Sequence, residues 1–184
     1  MSAPPVVGGY HAPKPVWPTV IGVISVVFAA MGLLNGCGGL IMPLAMSPIA
    51  ELMPDEGMKA MFRKLASYSP IGVSSGVLAI GVGVLLLLAG IRTIQWRRAG
   101  ARLHVSAALL SFVHSAVACV YAFELQKLQF QAMQNAGGRP LPFPPELFGA
   151  IGLIIGMMFS SAYPTFLLIW FFRARIREQV SNWS

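Results

Sequence analysis

Four long interruptions in charge limit what this chain can fold into. No charged side chain occurs for 36 residues between Lys14 and Glu51, 27 between Lys64 and Arg92, 21 between Arg102 and Glu124, and 26 between Glu146 and Arg173. A helix that crosses a bilayer needs about 20 predominantly apolar residues, so each gap has room for one crossing. The runs predict spans over 18–42, 70–91, 103–123 and 148–172. Strands of a membrane barrel would be about half as long and would alternate, and these runs do neither. Only 10% of the residues are charged, too few to cover a soluble domain, where roughly 25% is usual. The expected fold class is all-α: a polytopic membrane protein built as a four-transmembrane-helix bundle, with two outer loops containing short amphipathic helical segments. Around the four-span domain (17–175) lie a disordered lead (1–16) and a tail (176–184). The apolar run of the first span is too long for a signal peptide, and a proline-rich lead precedes it.

Basic residues set the expected orientation. Lys14, Arg92, Arg97, Arg98, Arg102, Arg173, Arg175 and Arg177 fall on one side of the predicted bundle. The other side holds Lys59, Arg63, Lys64, Lys127 and Arg139, diluted by acids. Both termini are therefore expected in the cytoplasm, and a bacterial inner membrane suits the short loops. Trp17, Trp96, Trp170 and Trp183 gather on the arginine-rich side, where amphipathic rings favour the interface. The net charge of +7 then needs no nucleic acid. Its expected partner is anionic lipid at the cytoplasmic face, met by Arg92, Arg97, Arg98, Arg102, Arg173, Arg175 and Arg177.

The outer loops carry their own signals. Ser47-Pro48 and Pro54-Asp55 each read as a helix start. After them Met58, Met61, Phe62 and Leu65 recur at helical spacing, giving an amphipathic segment that either lies on the outer surface or lids the bundle. The second loop begins as a continuation of span three, with Leu125, Leu128 and Ala132 on one face. Prolines at 140, 142, 144 and 145 then stiffen the return strap 139–145.

Small residues recur at steps of three and four in every span. Gly22, Ser25, Ala29, Gly32, Gly36 and Gly39 mark the first, Gly72, Gly76, Ala79, Gly83 and Gly90 the second (with a larger residue at 86), Ala108, Ser111, Ser115, Ala118 and Ala122 the third, and Gly149, Gly152, Gly156 and Ser160 the fourth. Lipid supplies no hydrophobic drive between helices, so close backbone approach has to hold them together. The glycine-rich stretch 32–40, GLLNGCGGL, is accordingly expected to be a packing face. A phosphate-binding loop would need GxxxxGK[ST], and no lysine is near.

Chemistry-bearing residues are sparse. Only His104 and His114 are ionisable within a span, and such residues are functional candidates by default. His104 is expected to reach the interface beside Arg102. His114 is central, at the depth of Ser160, with Tyr163 and Pro164 just below. Asn35, Ser74, Ser75 and Ser115 fall in the outer half. If their faces converge, Asn35, Ser74, Ser75, His114, Ser115, Ser160 and Tyr163 form a modest polar pocket. The two histidines are ten residues apart on one helix, about 15 Å along its axis, so they do not share an iron. No metal, cofactor or catalytic set is expected. Cys37 and Cys119 lie at similar depth, and the expectation is two small buried thiols rather than a bridge.

The layout of both ends inside, a short inner turn and two outer loops resembles tetraspanin-type and claudin-type four-span proteins. The Cys-Cys-Gly of one and the Trp-x-x-Gly-Leu-Trp of the other are absent, so no family residues carry over. The expected function is that of a structural or accessory/assembly membrane protein, not an enzyme, acting through helix packing with a membrane-protein partner or a second copy. The alternative is a small transporter, channel or lipid- or ligand-binding protein that uses the polar pocket around His114.

Overall fold

The computed structural model describes residues 15–135 and 145–183. Six helices follow in order: α1 (Trp17–Leu52), α2 (Glu56–Ala66), α3 (Ser69–Ile94), α4 (Arg98–Asn135), α5 (Pro145–Phe172) and α6 (Ala174–Ser181). No strand occurs among the described residues. Four helices, α1, α3, α4 and α5, are long and apolar enough to cross a membrane. The expectations for the lead up to residue 14, and for most of the strap at 139–144, lie outside the described residues.

Successive long helices run antiparallel. One end of the bundle, the terminal face, holds the start of α1, the α3–α4 turn and α6. The opposite end, the loop face, holds α2. Large apolar side chains point outward along every long helix, among them Val27, Leu34, Val84, Leu109, Ile154 and Phe159.

α1 and α3 touch along their whole length through their small residues. A Cβ on Gly90 would lie 2.7 Å from the Gly22 carbonyl oxygen, and one on Gly76 would lie 2.9 Å from the Gly39 carbonyl carbon and the Leu40 nitrogen. Gly36 and Gly83 are as tightly enclosed, with the Gly76 carbonyl oxygen 3.1 Å and the Ala29 carbonyl oxygen 3.2 Å away. Gly72 faces Pro43 and Tyr121. Gly32 and Gly39 stand slightly farther out, each facing a glycine Cα of α3.

Several boundaries differ from expectation. α1 continues to Leu52, so Ser47-Pro48 lies inside it and does not start a helix. Both Pro43 and Pro48 are accommodated within that helix; the Pro43 ring is buried over Gly72, where a side chain would collide with it. At 36 and 38 residues, α1 and α4 are about 54 and 57 Å long. A hydrocarbon core of about 30 Å is shorter, and the excess at the loop face supports α2.

α2 starts at Asp55, whose carboxylate accepts from the Met58 N–H at 2.9 Å. Its acidic residue, Glu56, is in the first turn, and Arg63 and Lys64 are in the last, as the helix dipole favours. Arg63 and Lys59 pair with Glu51 at the end of α1, and Leu65 is buried. At the terminal face the predicted tail contains α6, with Ile176 and Trp183 buried. Trp183 stacks on Trp17 at 5.4 Å and meets Trp96 edge-on at 5.6 Å. Trp96 closes α3 at φ 57°, a left-handed conformation usually left to glycine. The Arg97 N–H reaches back across it to the Arg92 carbonyl at 2.9 Å.

Candidate functional site

The small-residue stripe on α4 does not end where the bundle core ends. Ala107, Ala108 and Ser111 are buried in the terminal half. One to four turns on, Ser115, Ala118, Ala122 and Gln126 continue the stripe along the wall of a groove. The facing wall is α5, through Gly152, Gly156 and Ser160. The groove encloses about 370 Å³. His114, Cys119, Leu153 and Met157 complete it.

The groove is open because α5 diverges from the rest of the bundle. A Cβ on Gly156 would meet nothing within 4 Å, and one on Gly152 only the Gln126 amide nitrogen at 3.8 Å. The expectation that Gly152 and Gly156 are packed is therefore wrong for the chain by itself. Nor is the reason local, since the spacing is the same as on α3. What is missing is a neighbour: only 11% of the apolar window of α5 is buried, against 33% for α3.

The polar lining is thin. The Ser115 hydroxyl donates to Ser160 Oγ at 3.5 Å, and the Ser160 hydroxyl donates to the Met157 carbonyl at 3.1 Å. Gln126 Oε1 is shielded from solvent without a hydrogen-bond partner, against Gly149. Of the seven residues expected in a polar pocket, the structure brings His114, Ser115 and Ser160 together. Asn35 and Ser74 are exposed and Ser75 half-buried on α1 and α3, and none of the three lines the groove. Ser74 is satisfied locally by the Pro70 carbonyl at 2.8 Å. Gln126 is not among the residues expected in the pocket; its spacing of four from Ala122 was the signal that it continues the stripe.

Tyr163 belongs to a different cluster. It stacks on Phe28 at 4.4 Å and its hydroxyl lies 2.7 Å from Ser25 Oγ. Ser25 Oγ is also 2.7 Å from His104 Nε2. His104 Nδ1 is 2.8 Å from the Gly100 carbonyl, and a carbonyl only accepts, so Nδ1 carries a proton. Thr93 Oγ1 lies 3.3 Å from the same nitrogen. His104 does not reach the interface beside Arg102: it is fully buried, stacked on Phe171 at 5.0 Å. Helix geometry decides this. Arg102 is exposed and His104 is two residues on, which turns it about 200° to the inner side.

A serine bonded to a histidine resembles a nucleophile and its base. Here both are fully buried and line neither the groove nor the arginine-lined cavity of the terminal face. Their bonds tie α1, α3, α4 and α5 together. Among the described residues no three His, Cys, Asp or Glu side chains gather as a metal site. Cys37 is exposed and Cys119 half-buried, and both are free thiols.

Neither a family model, nor a curated protein, nor a solved structure matches this chain. Function has to be read from the groove.

Proposed function

We propose that the protein is an integral membrane accessory or assembly protein whose α4–α5 groove receives a transmembrane helix from another chain. One observation carries this reading: Gly152 and Gly156 stand open, while the equivalent stripe on α3 is filled by α1. In a bilayer a row of small residues is useful when another backbone approaches it. The groove offers that approach, with Ser115, Ser160 and Gln126 as polar partners across the contact. Both termini and the arginines are placed in the cytoplasm by the excess of basic residues there, in contact with anionic lipid. α2 lies at the outer surface, its apolar side against the ends of α1 and α4.

The test is a photo-activated cross-linker in intact membranes. Placed at Met157 in the groove, it should give a protein adduct of defined mass. Placed at Val84, exposed on α3, it should give none. Lipid adducts alone at both positions would refute the proposal. A second reading, a small amphiphilic ligand or transported solute in the same groove, is favoured by the His114 imidazole on its wall. It requires that His114→Ala alters ligand binding or flux in liposomes holding the purified protein.

A further inference from the structure

At the terminal face the first turns of α4, the end of α5 and α6 enclose a second cavity of about 360 Å³. Its walls hold Arg98, Arg102 and Arg177, with Ser181, over a floor of Ala101, Phe171 and Val180. We propose that this cavity is a binding site for the phosphate group of an anionic phospholipid.

Three features of the molecule point to an anion. First, the carboxylates Glu51, Glu56 and Glu124 pair with Lys59, Arg63 and Lys127 at the loop face. Three guanidinium groups share one cavity at the other end, and among the described residues no carboxylate pairs with them. Second, Arg98 and Arg102 flank the N-terminal end of α4, which has no acidic residue in its first turn. The positive end of a helix dipole disfavours cations and favours an anion. Third, Arg98 is already fixed: its Nε donates to the Trp183 carbonyl at 2.7 Å. A held guanidinium presents its remaining donors in a set direction, which suits bidentate binding of phosphate oxygens.

The apolar floor favours a lipid over a free ion. Phe171, Ala101 and Val180 line the same cavity as the arginines; Leu168, one turn before Phe171 on the same face, is half-buried, and the adjacent Phe172 is exposed. A phospholipid would place its phosphate among the arginines and its chains along that outer surface of α5. Basic pockets between helices at this depth commonly take lipid headgroups. The seven arginines expected to meet lipid thus fall into two sets. Arg98, Arg102 and Arg177 form the site, whereas Arg92, Arg97, Arg173 and Arg175 are not part of its wall. Arg173 instead lies over the Trp170 ring at 5.5 Å.

Native mass spectrometry of the full-length protein, released from nanodiscs of equal phosphatidylglycerol and phosphatidylcholine, tests the site. The wild type should retain one phosphatidylglycerol, favoured about tenfold, the ratio expected when one or two charge-assisted bonds are at stake. Arg102→Gln/Arg177→Gln should lose that preference, and Arg175→Gln, with an exposed arginine on the same helix, should keep it. Circular dichroism checks that all three proteins fold alike. Equal retention by the double variant and the Arg175→Gln control would overturn the proposal. A separate arm adds millimolar inorganic phosphate: if it displaces the lipid completely, or is itself bound without any lipid being retained, the cavity serves a free anion and the lipid assignment fails.

Discussion

The α1–α3 seam and the α4–α5 groove are written in the same residues and have opposite fates. Along the first, glycines of one helix lie against backbone of the other, at distances that leave no space for a methyl group. Along the second, Gly156 faces open space and Gly152 nearly so. A small-residue row states that a backbone can come close; it does not state whose. Where the chain supplies the neighbour, the row becomes a seam. Where it does not, the row remains a groove, and in a bilayer a groove of this kind suits a helix from elsewhere.

The contrast is broken most sharply by filling each side in turn. Gly76→Leu should be the most damaging single change, because its Cβ would meet the Gly39 and Leu40 backbone at 2.9 Å and main chain yields little. A loss of about 3 kcal/mol is expected, the upper end for overpacking, read as a lower thermal midpoint in detergent. Gly156→Leu has room and should leave the stability within about 0.5 kcal/mol of the wild type. Equal effects at the two sites would mean that the groove is closed in the folded protein.

The buried node on the terminal side of the groove comes next. His104→Ala removes one bond to Ser25 and one to the Gly100 carbonyl together, and empties the space of a buried ring packed on Phe171. A loss of about 2–3 kcal/mol is expected, most of it from the cavity. Tyr163→Phe removes one hydroxyl from a Ser25 that keeps Ile21 and His104, so about 1 kcal/mol should follow. A larger loss from Tyr163→Phe than from His104→Ala would show that the α1–α5 contact, not the histidine, holds the helices at this end. Smallest of all should be Glu51→Gln. Its pair with Arg63 is exposed and its pair with the half-buried Lys59 is long, at 3.8 Å, and such surface pairs contribute little. The thermal midpoint should not move, while amide exchange in α2 quickens.

Much of the architecture was legible because charge is excluded from four runs of the right length. The gaps between charges located all four long helices, and Asp55 located the start of α2. Lengths were less legible. Pro48 reads as a helix start only if the preceding turn has ended, and the ladder of α1 runs through it. The groove was half legible. Depth along a helix follows from counting, and His114, Ser115 and Ser160 line one groove. Azimuth does not follow, and Asn35, Ser74 and Tyr163 share that depth range on other faces. His104 differs for a simpler reason: closeness to Arg102 in sequence is not a shared face, because two residues along a helix turn the ring about 200° away. The openness of Gly152 and Gly156 had no sequence signal, since it depends on how far α5 leans away.

The mass of the gently extracted particle, measured from native membranes, tests the central claim most directly. The wild type should emerge with a second chain bound, and Gly152→Leu/Gly156→Leu, with the groove filled by its own side chains, should emerge as a folded single chain. A wild type that leaves the membrane alone, or a double variant that keeps its companion, would contradict the account.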